Sequence, residues 1–322
     1  MKILRYAATV LALVVCTVAN GQAPGGYPTK PIHIIVPFSA GSATDLIART
    51  VAEPMSRALG QPIVIENRPG AGGTLGAGIV AKSAPDGYTL LVHSAGHVAN
   101  ASIYSSLPYD TLRDFACVTT LANLPNVVVS APARFKGIQD LVESARSRPG
   151  QLNFGTAGHG SATHMNTEIF RASAQFDAVH IPFKGTPEAL NEAMAGRIDF
   201  FFAPIAPALP LIRDGRLQPL AVGAIKRSPL LPDVPTTVEA GFKDSEYVFW
   251  IALLAPSGAP RPIVERLNAE ATKALASMEV KDKFALLGAE TMPMAPLACD
   301  DFMKAEAVRA AAVVKKAGIK AQ

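Results

Sequence analysis

This sequence is poor in charge. Only 17% of its residues are Asp, Glu, Lys or Arg, and Lys plus Arg outnumber Asp plus Glu by just 30 to 26. Nucleic-acid binding needs a concentrated basic face, so this balance argues against it. Cysteine is equally scarce, with three in 322 residues. Cys16 falls in the N-terminal apolar run, where Val15 in front of it is branched and does not suit lipidation. Cys117 and Cys299 lie in apolar or helical surroundings. An exported chain can join such a pair, but nothing in the spacing demands it, and two buried free thiols are expected. No Gly-x-Ser-x-Gly surrounds Ser39, Ser42, Ser94, Ser161 or Ser257, which removes the usual serine-hydrolase signature. His93 and His97 stand four apart, and His159 and His164 five apart, with no acidic or cysteine partner completing either set. No metal is expected.

Long apolar runs are also missing beyond the N-terminus. Lys2 and Arg5 precede an apolar stretch from Tyr6 to Ala19, shorter than the roughly 20 residues a spanning helix needs. It reads as an export signal over residues 1–23, cleaved after Ala19 or Ala23. Removal of Lys2 and Arg5 with it leaves 28 basic against 26 acidic side chains. The mature chain is expected to be soluble and periplasmic.

What is present is a 49% hydrophobic chain long enough for two domains. From Pro31 onward, short apolar runs alternate with helix-period segments, the pattern of an α/β fold with parallel sheet. IHIIVPF, PIVIEN, YTLLVHS and CVTTLA are predicted strands; Ala43 to Leu59, Thr74 to Lys82 and Val98 to Tyr104 are predicted helices. A second series has NVVVSAP, LNFGT, AVHIPF, DFFFAP and QPLAVGA as strands. Its helices are Ile138 to Ser147, Ala162 to Ala174, Pro187 to Ala195 and Ala206 to Asp214, with Gly196 and Gly215 as C-terminal caps. YVFWIALLAP then returns as a long apolar strand. Helices over Pro262 to Met278, Val280 to Leu287 and Asp300 to Lys316 complete the chain. The simplest division places 28–125 plus 248–322 in one lobe and 126–247 in the other, with two crossings as a hinge.

Two strand-to-helix loops repeat the letters Gly-Ser-Ala-Thr, at Gly41 to Thr44 and Gly160 to Thr163. Small residues let a ligand approach the main chain, and a helix start offers N–H donors to an anion. In the first loop the candidates are Phe38, Ser39, Ala40, Gly41, Ser42, Thr44 and Asp45, although Ser42, Thr44 and Asp45 are equally good helix caps. Asp45 suits the turn or a cationic group better than a carboxylate. In the second loop they are Thr156, Ala157, Gly158, Gly160, Ser161 and His164, whose ring either reaches a ligand or packs in the first helical turn. Phe183, Lys184, Gly185, Ala203, Pro204, Ser94 and His97 extend the set, and Trp250 is a further aromatic candidate. Beyond the four letters the flanks differ and no further repeat is seen. Pro69 to Gly76 has a dinucleotide-fingerprint flavour, and with it the alternative of a nucleotide-dependent oxidoreductase. Its glycine spacing departs from that fingerprint.

Taken in order, YPTKPIHIIVPFSAG, LGQPIVIENRPGAGG, APDGYTLLV, LPYDTLRDFACVTTLA, LNFGTAGHGSATHM, VHIPFKGTPEAL, DFFFAPIAPALPLIRDGRLQPLAV, KRSPLLPDVPTTVEAG, LLAPSGAPRPIVERLNAE and KKAGIKAQ cover essentially the whole chain. It resembles the extracytoplasmic solute-binding receptors of tripartite tricarboxylate transporters, the TctC-like or Bug (Bordetella uptake gene) family. The resemblance implies a type II periplasmic binding fold: two α/β lobes that close like a flytrap on a ligand, usually a carboxylate. It implies a monomeric, non-enzymatic receptor without cofactor that serves a membrane permease; a sensory or adaptor role for the same cleft is the alternative. The loops Ser39 to Asp45 and Thr156 to His164 correspond to those that meet the carboxylate in the family. Two positions depart from the family pattern. Gly41-Ser42 stands where a Gly pair is usual, and Ala203-Pro204 where an acidic or amide residue is frequent.

Overall fold

A computed structural model describes residues 26–319. The export signal expected over 1–23 lies outside the described residues. The elements run β1 (Ile32–Val36), α1 (Ala43–Leu59), β2 (Ile63–Asn67), α2 (Thr74–Ala81), β3 (Thr89–Ser94), α3 (Gly96–Ile103), β4 (Phe115–Leu124), β5 (Asn126–Ser130), α4 (Ile138–Ser147), β6 (Asn153–Thr156) and α5 (Ala162–Ala174). They continue β7 (Val179–Pro182), α6 (Thr186–Met194), β8 (Phe200–Pro204), α7 (Ile205–Arg213), β9 (Gln218–Val222), β10 (Phe249–Pro256), α8 (Arg261–Ala276), α9 (Met278–Leu287), β11 (Glu290–Thr291) and α10 (Pro296–Lys316).

The strands form two sheets. One has the order β2-β1-β3-β10-β4-β11, the other β7-β6-β8-β5-β9. β1 pairs in parallel with both β2 and β3, and β6 with both β7 and β8. Parallel pairing requires crossover helices, which cover the sheet faces and explain why IHIIV and FFFAP read as unbroken apolar runs. Each sheet also contains one antiparallel insert: β10 between β3 and β4, and β5 between β8 and β9. Apart from β11 on its edge, the first sheet repeats the strand pattern of the second.

Chain passages between the sheets lie side by side. β4 runs into β5 through Pro125 alone, and the return follows β9. There the Gly223 N–H donates to Asn126 O (2.8 Å) and the Tyr247 N–H to Gly223 O (3.1 Å). β10 is buried at all eight positions. Its Trp250 is fully buried, and the indole Nε1 donates to Glu306 Oε2 at 2.8 Å on α10.

The predicted helices Ala43 to Leu59, Ile138 to Ser147 and Ala162 to Ala174 match α1, α4 and α5 residue for residue. Gly196 and Gly215 follow α6 and α7 with φ of 66° and 69°, the left-handed turn that ends a helix. α10 starts at Pro296 rather than Asp300, because proline is well accommodated in the first turn. The free-thiol expectation is overturned: Cys117 on β4 and Cys299 in the first turn of α10 form a disulfide. α10 packs along β4 and brings their Cα atoms to 5.7 Å, a proximity that a separation of 182 residues conceals in the sequence.

Candidate functional site

The two Gly-Ser-Ala-Thr loops sit at equivalent places in the two sheets, after β1 and after β6. Their conformations coincide. Gly41 and Gly160 have φ of 82° and 75°, which favours glycine, and Ser42 and Ser161 have φ/ψ of −66°/158° and −64°/160°. Each serine N–H closes a turn at 3.1 Å, onto Ser39 O and Gly158 O respectively. Each serine Oγ accepts from the N–H three residues on, Asp45 at 3.4 Å and His164 at 3.3 Å. The remaining first-turn N–H groups of α1 and α5 have no acceptor within their helices, so each helix presents a positive dipole end and free donors.

Both helix starts face one small pocket of about 10 Å³, and α6 contributes a third through Thr186. Phe38, Ser42, Ala43, Thr44, Ser94, Ala157, Ser161, Ala162, Thr163, Thr186 and Phe249 line it. None of these residues is charged. Hydroxyls of Ser and Thr occupy the same wall as the helix starts, while Phe38 and Phe249 supply apolar surface.

The lobes are shut around this cavity. Across the cleft, Ser39 Oγ donates to Glu188 Oε1 at 2.6 Å and Tyr104 OH donates to His159 O at 3.0 Å. Glycines permit the approach. A Cβ on Gly96 would lie 2.8 Å from Gly160 O, one on Gly185 2.9 Å from Ser39 Cβ, and one on Gly72 closer than any side chain tolerates to His159 O.

A family model for the tripartite tricarboxylate transporter family receptor matches residues 47–319. The chain belongs to this family. The receptor is 39% identical over 292 residues to a protein of the tcbD–tcbE intergenic region of Pseudomonas sp. strain P51, covering 90% of this chain and 87% of that one. It is 35% identical to BugT of Bordetella pertussis, covering 91% of each. Among solved structures, it is similar to the periplasmic binding protein BugD, with a TM-score of 0.87, 32% identity, and coverage of 92% of this chain and 100% of BugD. Two Rhodopseudomonas palustris proteins are also similar. Rpa4515 with adipate has a TM-score of 0.88 and 34% identity, covering 92% and 100% of the two chains; MatC with bound malate has 0.85 and 35%, covering 89% and 100%. The fold is therefore the two-lobed type II periplasmic binding fold.

Of the residues expected at a ligand, Phe38, Ser42, Thr44, Ser94, Ala157 and Ser161 line the receptor's cavity. Ser39, Ala40, Gly41, Thr156, Gly158 and Gly160 shape the two loops behind them, and Gly185 packs on Ser39. Others lie elsewhere. Asp45 is buried and taken up by the Gly41 N–H (2.9 Å), Arg49 Nε (3.0 Å) and Asn67 Nδ2 (2.9 Å), so it fixes the loop. Burial alone would raise its pKa, but these donors outweigh it and hold the carboxyl below the usual range. His97 packs among His93, Tyr109 and Phe115, and His164 uses Nδ1 to accept from the Gly160 N–H at 3.2 Å. Phe183, Lys184, Ala203 and Pro204 do not line the cavity, and the Lys184 side chain is in solvent.

Sequence reading missed Phe249 and Thr186 as lining residues. Strand alternation on β10 separates Phe249 from Trp250, and only Phe249 faces the cavity. The fingerprint-like glycines serve packing. Gly72 and Gly76 lie against His159 and Pro37, and Gly73 against the His93 ring.

Burial and repulsion from His97 push His93 well below the usual imidazole range, and burial lowers His97 to about 4. Both are fully buried. Depressed imidazole pKa values mean that the unfolded chain binds protons first on acidification, so stability is full above about pH 7 and falls from about pH 6.5 towards 4. Urea unfolding at pH 5 is expected to give a stability lower by at least about 2 kcal/mol than at pH 7.5. Identical midpoints at the two pH values would contradict the buried neutral state of these rings.

Proposed function

We propose that this receptor captures a small carboxylate in the periplasm, between the starts of α1 and α5, and delivers it to a membrane permease of the tripartite tricarboxylate type. The convergence of helix N-termini on a cavity lined by no charged side chain carries this reading. Backbone N–H groups and hydroxyls stabilise an anion there. A cationic side chain would add affinity, but its desolvation and tight pairing would oppose release. MatC with malate and Rpa4515 with adipate support a carboxylate as the ligand class. Lobes 28–125 with 248–322 and 126–247 would swing apart about the paired crossings, and the contact between Ser39 and Glu188 would mark closure. The reading assigns no chemical step to the bound ligand.

A thermal-shift panel tests it. Aliphatic or aromatic mono- or dicarboxylates should raise the melting temperature, while sugars and NAD should not; a saturating response to NAD with none to carboxylates would reverse the assignment. Ser42→Gly then probes the site itself. Glycine preserves the cap to within a few tenths of a kcal/mol but removes the hydroxyl. Carboxylate affinity measured by calorimetry should fall about tenfold. An unchanged Kd would restrict Ser42 to capping.

A further inference from the structure

Behind the second loop, outside the carboxylate cavity, three imidazoles gather from three different segments. His159 comes from the loop, His164 from the first turn of α5 and His180 from the edge strand β7. One ring nitrogen of each lies within 4.8 Å of one of each of the others. We propose that His159, His164 and His180 bind a single zinc-like divalent cation, which braces the second ligand loop.

The donor chemistry fits. Three neutral imidazoles with a carboxylate nearby suit Zn²⁺, Co²⁺ or Ni²⁺ rather than Ca²⁺ or Mg²⁺. Glu168 supplies that carboxylate, with Oε1 3.7 Å from His164 Nε2. Arg171 is the nearby cation, and its charge is engaged by Glu168 at 2.7 Å and Asp177 at 2.6 Å. Coordination through His164 Nε2 needs the tautomer with its proton on Nδ1, so the 3.2 Å bond that Nδ1 accepts from the Gly160 N–H is given up when the ion binds. His180 Nε2 lies 2.6 Å from Thr156 Oγ1, a contact that orients this ring and leaves Nδ1 to the ion.

Coordination requires the rings to rotate, because a metal lies in the plane of each imidazole that binds it and two of these planes are nearly parallel. Zn–N bonds of about 2.0–2.1 Å in a tetrahedral site place ligand nitrogens roughly 3.4 Å apart. His164 and His180 stack at 4.2 Å between centroids with 13° between planes, and Phe154 stacks on both. Coordination therefore tilts His180 off His164, while the partly exposed His159 moves in from the loop.

The test uses the full mature receptor stripped with EDTA and titrated with ZnCl₂ and CoCl₂ by calorimetry and thermal shift. One ion per chain is expected, with strong d–d absorption bands for Co²⁺ in tetrahedral surroundings. His159→Asn on the loop and His180→Gln on the edge strand should each weaken binding at least tenfold, with apo melting temperatures within a few degrees of the parent. Binding only at millimolar metal, or equal affinity in parent and both variants, would overturn the proposal and leave the three rings a packing role. Neither result depends on the carboxylate.

Discussion

Gly96→Ala will weaken carboxylate binding by roughly 10- to 100-fold while leaving the melting temperature of the ligand-free receptor unchanged or slightly higher. Gly96 begins α3 without a positive φ, so alanine is conformationally acceptable there and favours the helix. Its methyl group would meet only backbone of the opposite lobe: Gly160 O at 2.8 Å, Ala162 N at 2.9 Å and Ser161 Cα at 3.0 Å. Backbone yields less readily than a flexible side chain. The strain therefore falls on the closed state, and the ligand must supply it. Overpacking of this kind costs about 1–3 kcal/mol, which sets the expected range. Calorimetry with the best carboxylate of the panel gives the Kd, and small-angle scattering with and without ligand reports closure. Parent-like affinity would mean that ligand is held without the lobe contact seen here. Gly72→Ala is less informative, because a φ of 60° adds strain within its own lobe.

Replacing both cysteines, Cys117→Ser with Cys299→Ser, will cost about 2–4 kcal/mol of stability and leave carboxylate affinity within about twofold. Closing a loop of 182 residues restricts the unfolded chain far more than a short bridge does. In a protein of this size the loss corresponds to a fall of roughly 3–6 °C in melting temperature. Dithiothreitol should reproduce the fall in the parent and have no further effect on the double variant. Equal melting temperatures for oxidised parent, reduced parent and variant would remove the bridge from the stability account. Neither cysteine lines the pocket between the helix starts, which is why affinity is expected to be spared.

How much of this was legible depends on the range of the interaction. Helices with a side-chain cap at one end and a glycine at the other, such as α1 between Ser42 and Gly60, were legible to the residue, because their limits are set within a few positions. β11 was not. Its two residues form a strand only because β4 presents an open edge. The two Gly-Ser-Ala-Thr loops stood out through their small residues, yet their equivalence was hidden: the likeness lies in strand order and dihedral angles, of which only four letters survive in the sequence. Asp45 was legible as a turn residue, while its partner Asn67 comes from the next strand and carries no local signal. His180 was invisible as a companion of His159 and His164 because β6 and β7 must pair before it arrives beside them.

The insertion of β10 into the middle of the first sheet imposes an order on the newborn chain. β4 touches no strand of its own sheet except β10 and β11. Residues 115–124 must therefore wait for residues 249–256, made more than a hundred positions later, before they gain a partner. The second sheet has no such debt, since all its strands lie between Asn126 and Val222. During synthesis the second lobe can complete itself first, while the first remains open until the C-terminal third emerges.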